Sequence, residues 1–523
     1  EISSSDWSSD VCSSDLLLVF CDIMSVELPD YCKELLKALP EPANVWKYML
    51  ALTQIPRGSN MGDEMWRHLK VREFLQKKAE ELGCETYVDQ GGNLIVRKAA
   101  YPGCEDKPTV CLQCHMDMVV QKDDDVEINF DTDPLTPRIV DNKWLMATGT
   151  SLGADDGAGV ATCFAILEDK TIKHGPLEIL VTRDEETGLY GAAGLEAGVL
   201  KAKYMINVDS EEENAVCVGC AGGYTIHMKL ATPRAPLNNE VRKTIVLNNF
   251  LGGHSGVDIG LGRANCIHVV GRLLKALCCP VRVISIECGT AHNAIPRKCV
   301  VEVAVPADRV ECFEKCMNKH WEEFAKEYKP IEADATMTIT EGTGSMDPMT
   351  AEASQKFVNF INVYPFAVMR YSATVKGDIE TSTTLAIAKC ENPETILFVA
   401  SVRSFAQSQM DWMYNRIKSI CEMGGVELSE RIGAYPGWEP NMESPLTKDV
   451  VEAYKVVTGK DPRVYAIHAG LECGLFMEKY KDLDCTSIGP TLEHPHSPQE
   501  RLLIETVPRF FKVVVYALEK LAA

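Results

Sequence analysis

Apolar residues recur at helical spacing through NVWKYMLALTQI and EMWRHLKVREFLQKKAEELG, and the pattern then turns extended at GGNLIVRKA. Short apolar runs follow, TVCLQCHMDMV, LEILVTRDEE and YMINVDSEE, separated by the helical stretches GAGVATCFAILED and GAAGLEAGV. Near-continuous apolar strands alternating with helices predict an α/β unit with a mixed, largely parallel sheet flanked by helices on both faces. After Gly219 the period shortens to two, as in YTIHMKLAT and KTIVLNNFLGG, with helices at RANCIHVVGRLLKAL, CFEKCMNKHWEEFAKEY and MDWMYNRIKSICEMG, which predicts an α+β unit. From Pro445 onward LTKDVVEAYKVVTG is helical, VYAIHAG and LDCTSIGP read as strands, and ETVPRFFKVVVYALEKLAA closes the chain as an amphipathic helix. The expected division is therefore 30–221 and 436–523 as two parts of one unit, with 222–435 inserted between them.

A chain of 523 residues, 46% hydrophobic and 24% charged, can bury more than one core. The net charge of −22 would repel a polyanion, so nucleic acid is excluded as an expected partner. No apolar run approaches the roughly 20 residues that span a bilayer, and Leu16–Cys21 lacks the flanks of a signal peptide, so neither membrane nor secretion is expected. Residues 1–23, in which Ser-Ser-Asp recurs, read as a leader outside the fold, adapter-derived or disordered, with Met24 as a plausible start. The 21 cysteines are scattered and sit in apolar segments such as Leu277-Cys278-Cys279, which suits reduced, buried thiols in the cytoplasm better than a disulfide framework.

Several acidic and imidazole side chains fall where predicted strands end. His115 and Asp117 are two apart and share a face. Asp155 and Asp156 lie in the glycine-rich turn GTSLGADDGAG before a helix, where a helix cap is the ordinary reading. Glu185 and Glu186 follow LEILVT, although adjacent strand residues usually face opposite ways. Asp209 follows YMINV, and His496 lies in the proline-rich GPTLEHPHSPQER. Each alone would be unexceptional, but open α/β sheets bind ligands at the carboxyl ends of their strands, and a metallohydrolase needs carboxylate ligands together with a separate carboxylate base.

The ordered set CHMD, GTSLGADDGAG, DEETGLYGA, NVDSEE, LGGHSGVDIG, NAIPR, HAGLECG and GPTLEHPHSPQER resembles the bacterial aminoacyl-histidine dipeptidases, also called Xaa-His or carnosine-type dipeptidases. These belong to the large di-zinc family that includes aminoacylases and tripeptidases, and the resemblance runs from about residue 30 to the end. It implies a zinc peptidase-like catalytic unit with an inserted lid. It also implies two divalent metal ions, zinc first and manganese or cobalt as alternatives. Asp155 would bridge them, with His115 and Asp209 completing one sphere and Glu186 and His496 the other. Asp117 would orient His115, and Glu185 would act as the general base on a metal-bridging water. In the lid, His254 would polarise the scissile carbonyl, Asn293 would bond the substrate, and Arg403 would clamp its terminal carboxylate. The activity implied is hydrolysis of dipeptides such as β-alanyl-histidine in a cytoplasmic enzyme, with homodimerisation through the lid.

Four details stand apart from this pattern. Cys114 occupies a place where a small residue such as glycine is expected, so it could crowd the site or compete as a soft ligand. His494 lies two residues from His496, and the Pro495-His496-Ser497-Pro498 run favours His496. The Cys111/Cys114 and Cys217/Cys220 pairs suggest a structural zinc or redox site, but the first lies in a strand, whose geometry sends i and i+3 to opposite faces. GGHSGV lacks the glycine that a serine-nucleophile elbow needs two residues after Ser255. The alternatives are an aminoacylase-type amidohydrolase using the same metals and a catalytically silent binding relative.

Overall fold

A computed structural model describes residues 27–60 and 66–523, so the leader reading of residues 1–23 lies outside the described residues. The chain forms two compact units. The first comprises the chain up to Cys217 together with Glu443–Val464 and Lys479–Ala523, and the second comprises Val218–Met442 with Tyr465–Glu478. The short return of 465–478, containing HAGLECG, thus packs with the inserted unit.

At the centre of the first unit are four parallel strands, in sheet order β2 (Leu177–Thr182), β1 (Val110–His115), β3 (Tyr204–Asn207) and β4 (Asp484–Ser487). Strands Glu85–Val88 and Leu94–Lys98 add to the β2 edge in antiparallel sense. Every residue of β1, β2 and β3 is buried. That explains their near-continuous apolar runs, because a sheet covered on both faces has no solvent side to alternate with. Polar exceptions are paired: Asn207 donates to Gln113 Oε1 at 2.6 Å and accepts from Ser487, a buried ladder across β1, β3 and β4. Such groups stay buried only because their hydrogen bonds are satisfied.

Helix α1 (Ala154–Glu168) packs against β1, and its apolar body ATCFAIL is buried all round. The expected mixed, largely parallel sheet is what the centre of this unit contains.

The second unit is built on a ten-stranded sheet whose hydrogen-bonded pairs are antiparallel, including Gly222–Ala231 with Thr395–Ser404 and Glu240–Asn248 with Cys299–Pro306. Alternation is visible in Gly222–Ala231, where Tyr224, Ile226, Met228 and Leu230 are buried while Lys229 is exposed. Residues of α2 (Cys266–Lys275) and α3 (Val310–Tyr328) join those strand residues in one apolar core. The expectation of uniformly buried thiols fails here, since Cys278, in the turn after α2, is exposed.

Candidate metal centre

The central strands of the first unit are parallel, so their carboxyl ends share one edge, and the acidic and imidazole residues collect there. His115 ends β1, Glu185 and Glu186 follow β2, Asp209 follows β3, and His496 lies on the chain beyond β4. Asp155 arrives on the turn into α1.

Among the described residues three groups of side chains could each hold a cation: His115 with Asp155 and Asp209, Asp155 with Glu186 and His496, and His115 with Glu185 and Glu186. Asp155 is common to the first two, and its oxygens divide between them. Oδ1 lies 3.1 Å from His115 Nε2, and Oδ2 lies 3.1 Å from His496 Nε2. Asp209 Oδ1 stands 3.4 Å from His115 Nε2, and Glu186 Oε2 stands 2.9 Å from His496 Nε2. Asp117 Oδ1 sits on the other side of the His115 ring, 3.4 Å from Nδ1.

Side-chain protonation in the centre reflects crowding. Burial opposes charge on His115, but Asp209, Asp117 and Asp155 outweigh it and raise its pKa well above the ordinary value. Hydrogen bonds with Asp155 and Glu186 likewise raise that of His496. Burial pushes Asp209 up to about 7 and also raises Glu186. Protons on the two imidazoles here offset carboxylate charge, a task a divalent cation performs better while releasing those protons.

The donor set fits such cations. Two imidazoles with three carboxylates suit zinc, manganese or cobalt better than magnesium. Glu186 Oε1 is buried without a hydrogen-bond partner among the described residues, an arrangement that needs an electrophile. The carboxylates of the two groups that share Asp155, with Glu185, would together carry as much negative charge as two divalent cations carry positive.

The two aspartates of the ADD turn face different partners. Asp156 Oδ1 accepts the Gly159 N–H at 3.1 Å and caps the helix, while Asp155 faces the imidazoles. Gly153 makes the turn with φ of 67°, and a Cβ there would come within 2.5 Å of the Arg57 guanidinium and 2.6 Å of Met118 Sδ, so only glycine fits.

The adjacency of Glu185 and Glu186 is resolved by Asp184, which has φ of 48° and breaks strand alternation just past β2. Both carboxylates then approach His115. Asp117 fastens this bend by accepting the Glu185 N–H at 3.1 Å and the Glu186 N–H at 3.4 Å, while Ser59 Oγ donates to it at 2.7 Å. Asp184 itself is buried and accepts three hydrogen bonds from Asn60.

Sequence reasoning missed two buried ions that shape the centre. Glu500 accepts the N–H groups of Leu152, Gly153, Ala154 and Asp155 at 2.6 to 3.3 Å. Arg57 donates to the carbonyl oxygens of Met116, Asp117 and Gly153. A carboxylate and a guanidinium thus grip the backbone of the ligand-bearing turn. Their signal in sequence was slight: a Glu near the end of the quoted proline-rich loop and a lone Arg after a proline. Replacing Glu500 by Ala strips four buried N–H groups of their acceptor and removes the strongest of the carboxylate charges that offset the buried Arg57. We expect a loss of about 3–5 kcal/mol, read by denaturant unfolding, together with weaker metal retention.

The Cys114 thiol lies 3.9 Å from the Leu180 carbonyl oxygen and is hydrogen-bonded with the Cys163 thiol. None of the metal-capable groups among the described residues contains a cysteine. His494 enters none of them either, and its carbonyl oxygen instead accepts from Ser497 Oγ.

His254, Asn293 and Arg403 lie in the second unit. Two backbone N–H groups, of Gly256 and Val257, donate to His254 Nδ1 at 3.2 and 3.1 Å, which assigns the ring proton to Nε2. Burial and then Arg403 lower the His254 pKa to about 4, so the ring is neutral. Arg403 Nη2 lies 3.4 Å from that Nε2, Nη1 donates to Tyr435 Oη at 2.9 Å, and Nε faces Ser255 Oγ at 3.4 Å. Arg403 is therefore a buried guanidinium among neutral groups, with a second donor converging on it: the makings of an anion receptor. Asn293 and Arg403 line one cavity of about 350 Å³ with Tyr224, Thr225, His227 and Tyr435.

Among the described residues no helix is long and apolar enough to cross a membrane. Residues 111–520 match the description of peptidase family M20/M25/M40. A curated relative, the cytosol non-specific dipeptidase of Escherichia coli strain K12, is 35% identical over 494 residues, covering 94% of this chain and 99% of that protein. The crystal structure of aminoacylhistidine dipeptidase from Vibrio alginolyticus superposes with a TM-score of 0.84 at 36% identity, covering 93% of this chain and 98% of that one. The aminopeptidase PepT from Bacillus cereus shares the fold at 17% identity and a TM-score of 0.53, over 93% of this chain and all of its own. With four-fifths of its length matched by the family and near-complete coverage of a curated relative, this chain belongs to peptidase family M20/M25/M40.

Proposed function

We propose that this protein is a cytoplasmic metallo-dipeptidase that hydrolyses the peptide bond of dipeptides, Xaa-His substrates such as β-alanyl-histidine among them. The observation that carries the proposal is the division of the Asp155 oxygens between two imidazole-carboxylate groups, the arrangement a carboxylate bridging two cations requires. The relatives named above supply the substrate class, one being named for non-specific dipeptides and the other for aminoacyl-histidine.

In this reading His115, Asp155 and Asp209 would hold one divalent cation, and Asp155, Glu186 and His496 would hold the other, zinc being the first candidate. When bound, the pair supplies Lewis acidity that makes water a nucleophile near neutral pH and polarises the scissile carbonyl. Glu185 takes the proton from the attacking water and delivers it to the departing amine nitrogen. Asp117 keeps the His115 ring oriented and anchors the backbone of Glu185. His254 Nε2–H donates to the oxygen that gains charge at the reacting carbon, Asn293 hydrogen-bonds the substrate, and Arg403 receives its free carboxylate in a fork.

The test is hydrolysis of β-alanyl-histidine, Gly-Gly and N-acetyl amino acids before and after chelation, with zinc, manganese or cobalt restored. Chelation is expected to abolish turnover and metal to restore cleavage of dipeptides but not of acetyl amino acids. Restored cleavage of acetyl amino acids alone would instead indicate an aminoacylase-type amidohydrolase, and no cleavage with any metal would indicate a binding relative.

A further inference from the structure

Four thiols meet on the second unit. Cys278 and Cys279 occupy the turn that follows α2, and Cys312 and Cys316 lie one helical turn apart at the start of α3. Residues four apart on a helix share a face, so both α3 thiols point to the same neighbour. Cys278 Sγ and Cys312 Sγ are 3.2 Å apart although the residues are 34 positions apart in sequence. Cys316 also bonds with Cys278, and Cys279 with Cys312, so the pair sits inside a chain of sulfur contacts. Cys278 is exposed and Cys312 and Cys316 are half-buried, which leaves the pair open to small reagents.

Among the other described cysteines, all but the half-buried Cys390 are buried, Cys111 and Cys114 in β1 and Cys217 and Cys220 included. The sulfur pair in contact at the surface is therefore not either of the Cys-x-x-Cys pairs. The four thiols also fail to make a compact chelate, as no metal-capable group among the described residues includes a cysteine. Pairwise sulfur chemistry is left as the use such an arrangement serves.

We propose that Cys278 and Cys312 form a reversible oxidation site, closing to a disulfide when the protein meets a peroxide. The exposed Cys278 thiolate attacks one peroxide oxygen, forming an S–O bond, breaking the O–O bond and releasing water after protonation. Cys312 then attacks the sulfur of that sulfenic acid, forming the S–S bond and expelling the oxygen as a second water. Two thiols thus lose two electrons and two protons to one hydrogen peroxide, which becomes two waters. The bond ties the turn after α2 to the first turn of α3, and cytosolic thiol reductants reopen it.

The full-length, metal-loaded protein is treated with limiting hydrogen peroxide, its remaining thiols are alkylated, and it is digested without reductant for mass spectrometry. The expected result is one cross-linked peptide pair containing Cys278 and Cys312 that disappears with dithiothreitol. Its yield should drop at least about tenfold in C278S and in C312S and persist in C316S, with dipeptide hydrolysis unchanged in all three. The cross-linked form should also melt several degrees higher than the reduced form, because the link restricts the unfolded chain. Peroxide uptake that yields sulfinic acid at Cys278 with no cross-linked peptide would overturn the proposal. So would a cross-link that survives in C278S, or equimolar zinc or copper(I) binding the thiols with a thiolate charge-transfer band and blocking the link.

Discussion

Replacement of Glu185 by Gln is expected to lower kcat for dipeptides by roughly 10³-fold while leaving the metal content at two per chain, because proton transfer by a positioned carboxylate is worth about 10² to 10⁴. The amide keeps the shape of the side chain but cannot accept the proton that the attacking water must lose. Glu185 belongs to one of the three metal-capable groups, yet it is outside the two that share Asp155, so its loss should not empty the centre. Its backbone N–H to Asp117 is untouched by the substitution, which keeps the 184–186 bend in place. Steady-state kinetics paired with metal analysis of the same sample makes the check. Activity within tenfold of the parent would remove Glu185 as the base, and loss of metal together with activity would make it a ligand.

Asp155→Asn should have the larger effect on occupancy: both cations lost together, and turnover reduced at least about 10³-fold at any practical metal concentration. The reason is the split of its oxygens, one toward His115 and one toward His496. An amide presents a single oxygen, and its NH₂ donor would face the site where the other cation binds. Removal of a group on one side only, as in His496→Ala, should release a single cation and leave the other near His115. Metal stoichiometry after dialysis distinguishes the cases. One metal retained in Asp155→Asn would mean that the carboxylate serves one sphere alone.

Much of this was legible in the residues themselves. Strands β1, β2 and β3 could be read because burial on both faces leaves a near-continuous apolar run, and the inserted unit because strands with a solvent face alternate, as in Gly222–Ala231. That His115, Glu186 and Asp209 would meet could be anticipated because residues closing parallel strands share one sheet edge, whereas the place of Asp155 and His496 among them was implied by the resemblance of the motif set. Other features depend on backbone conformation or on partners far away in sequence, and local pattern does not encode either. That both Glu185 and Glu186 face the centre follows from the left-handed bend at Asp184, held by Asn60 across 124 positions. Glu500 reaches the ADD turn from 345 positions away, and Cys278 meets Cys312 only because α2 and α3 end and begin side by side. Hydrophobic period and strand-end chemistry, which act over a few residues, were written in the sequence. The long-range pairing of buried charges was decided by the tertiary structure, since burial compels each such group to find whichever partner the packed chain brings within reach, and the surface thiols met through the same packing of distant segments.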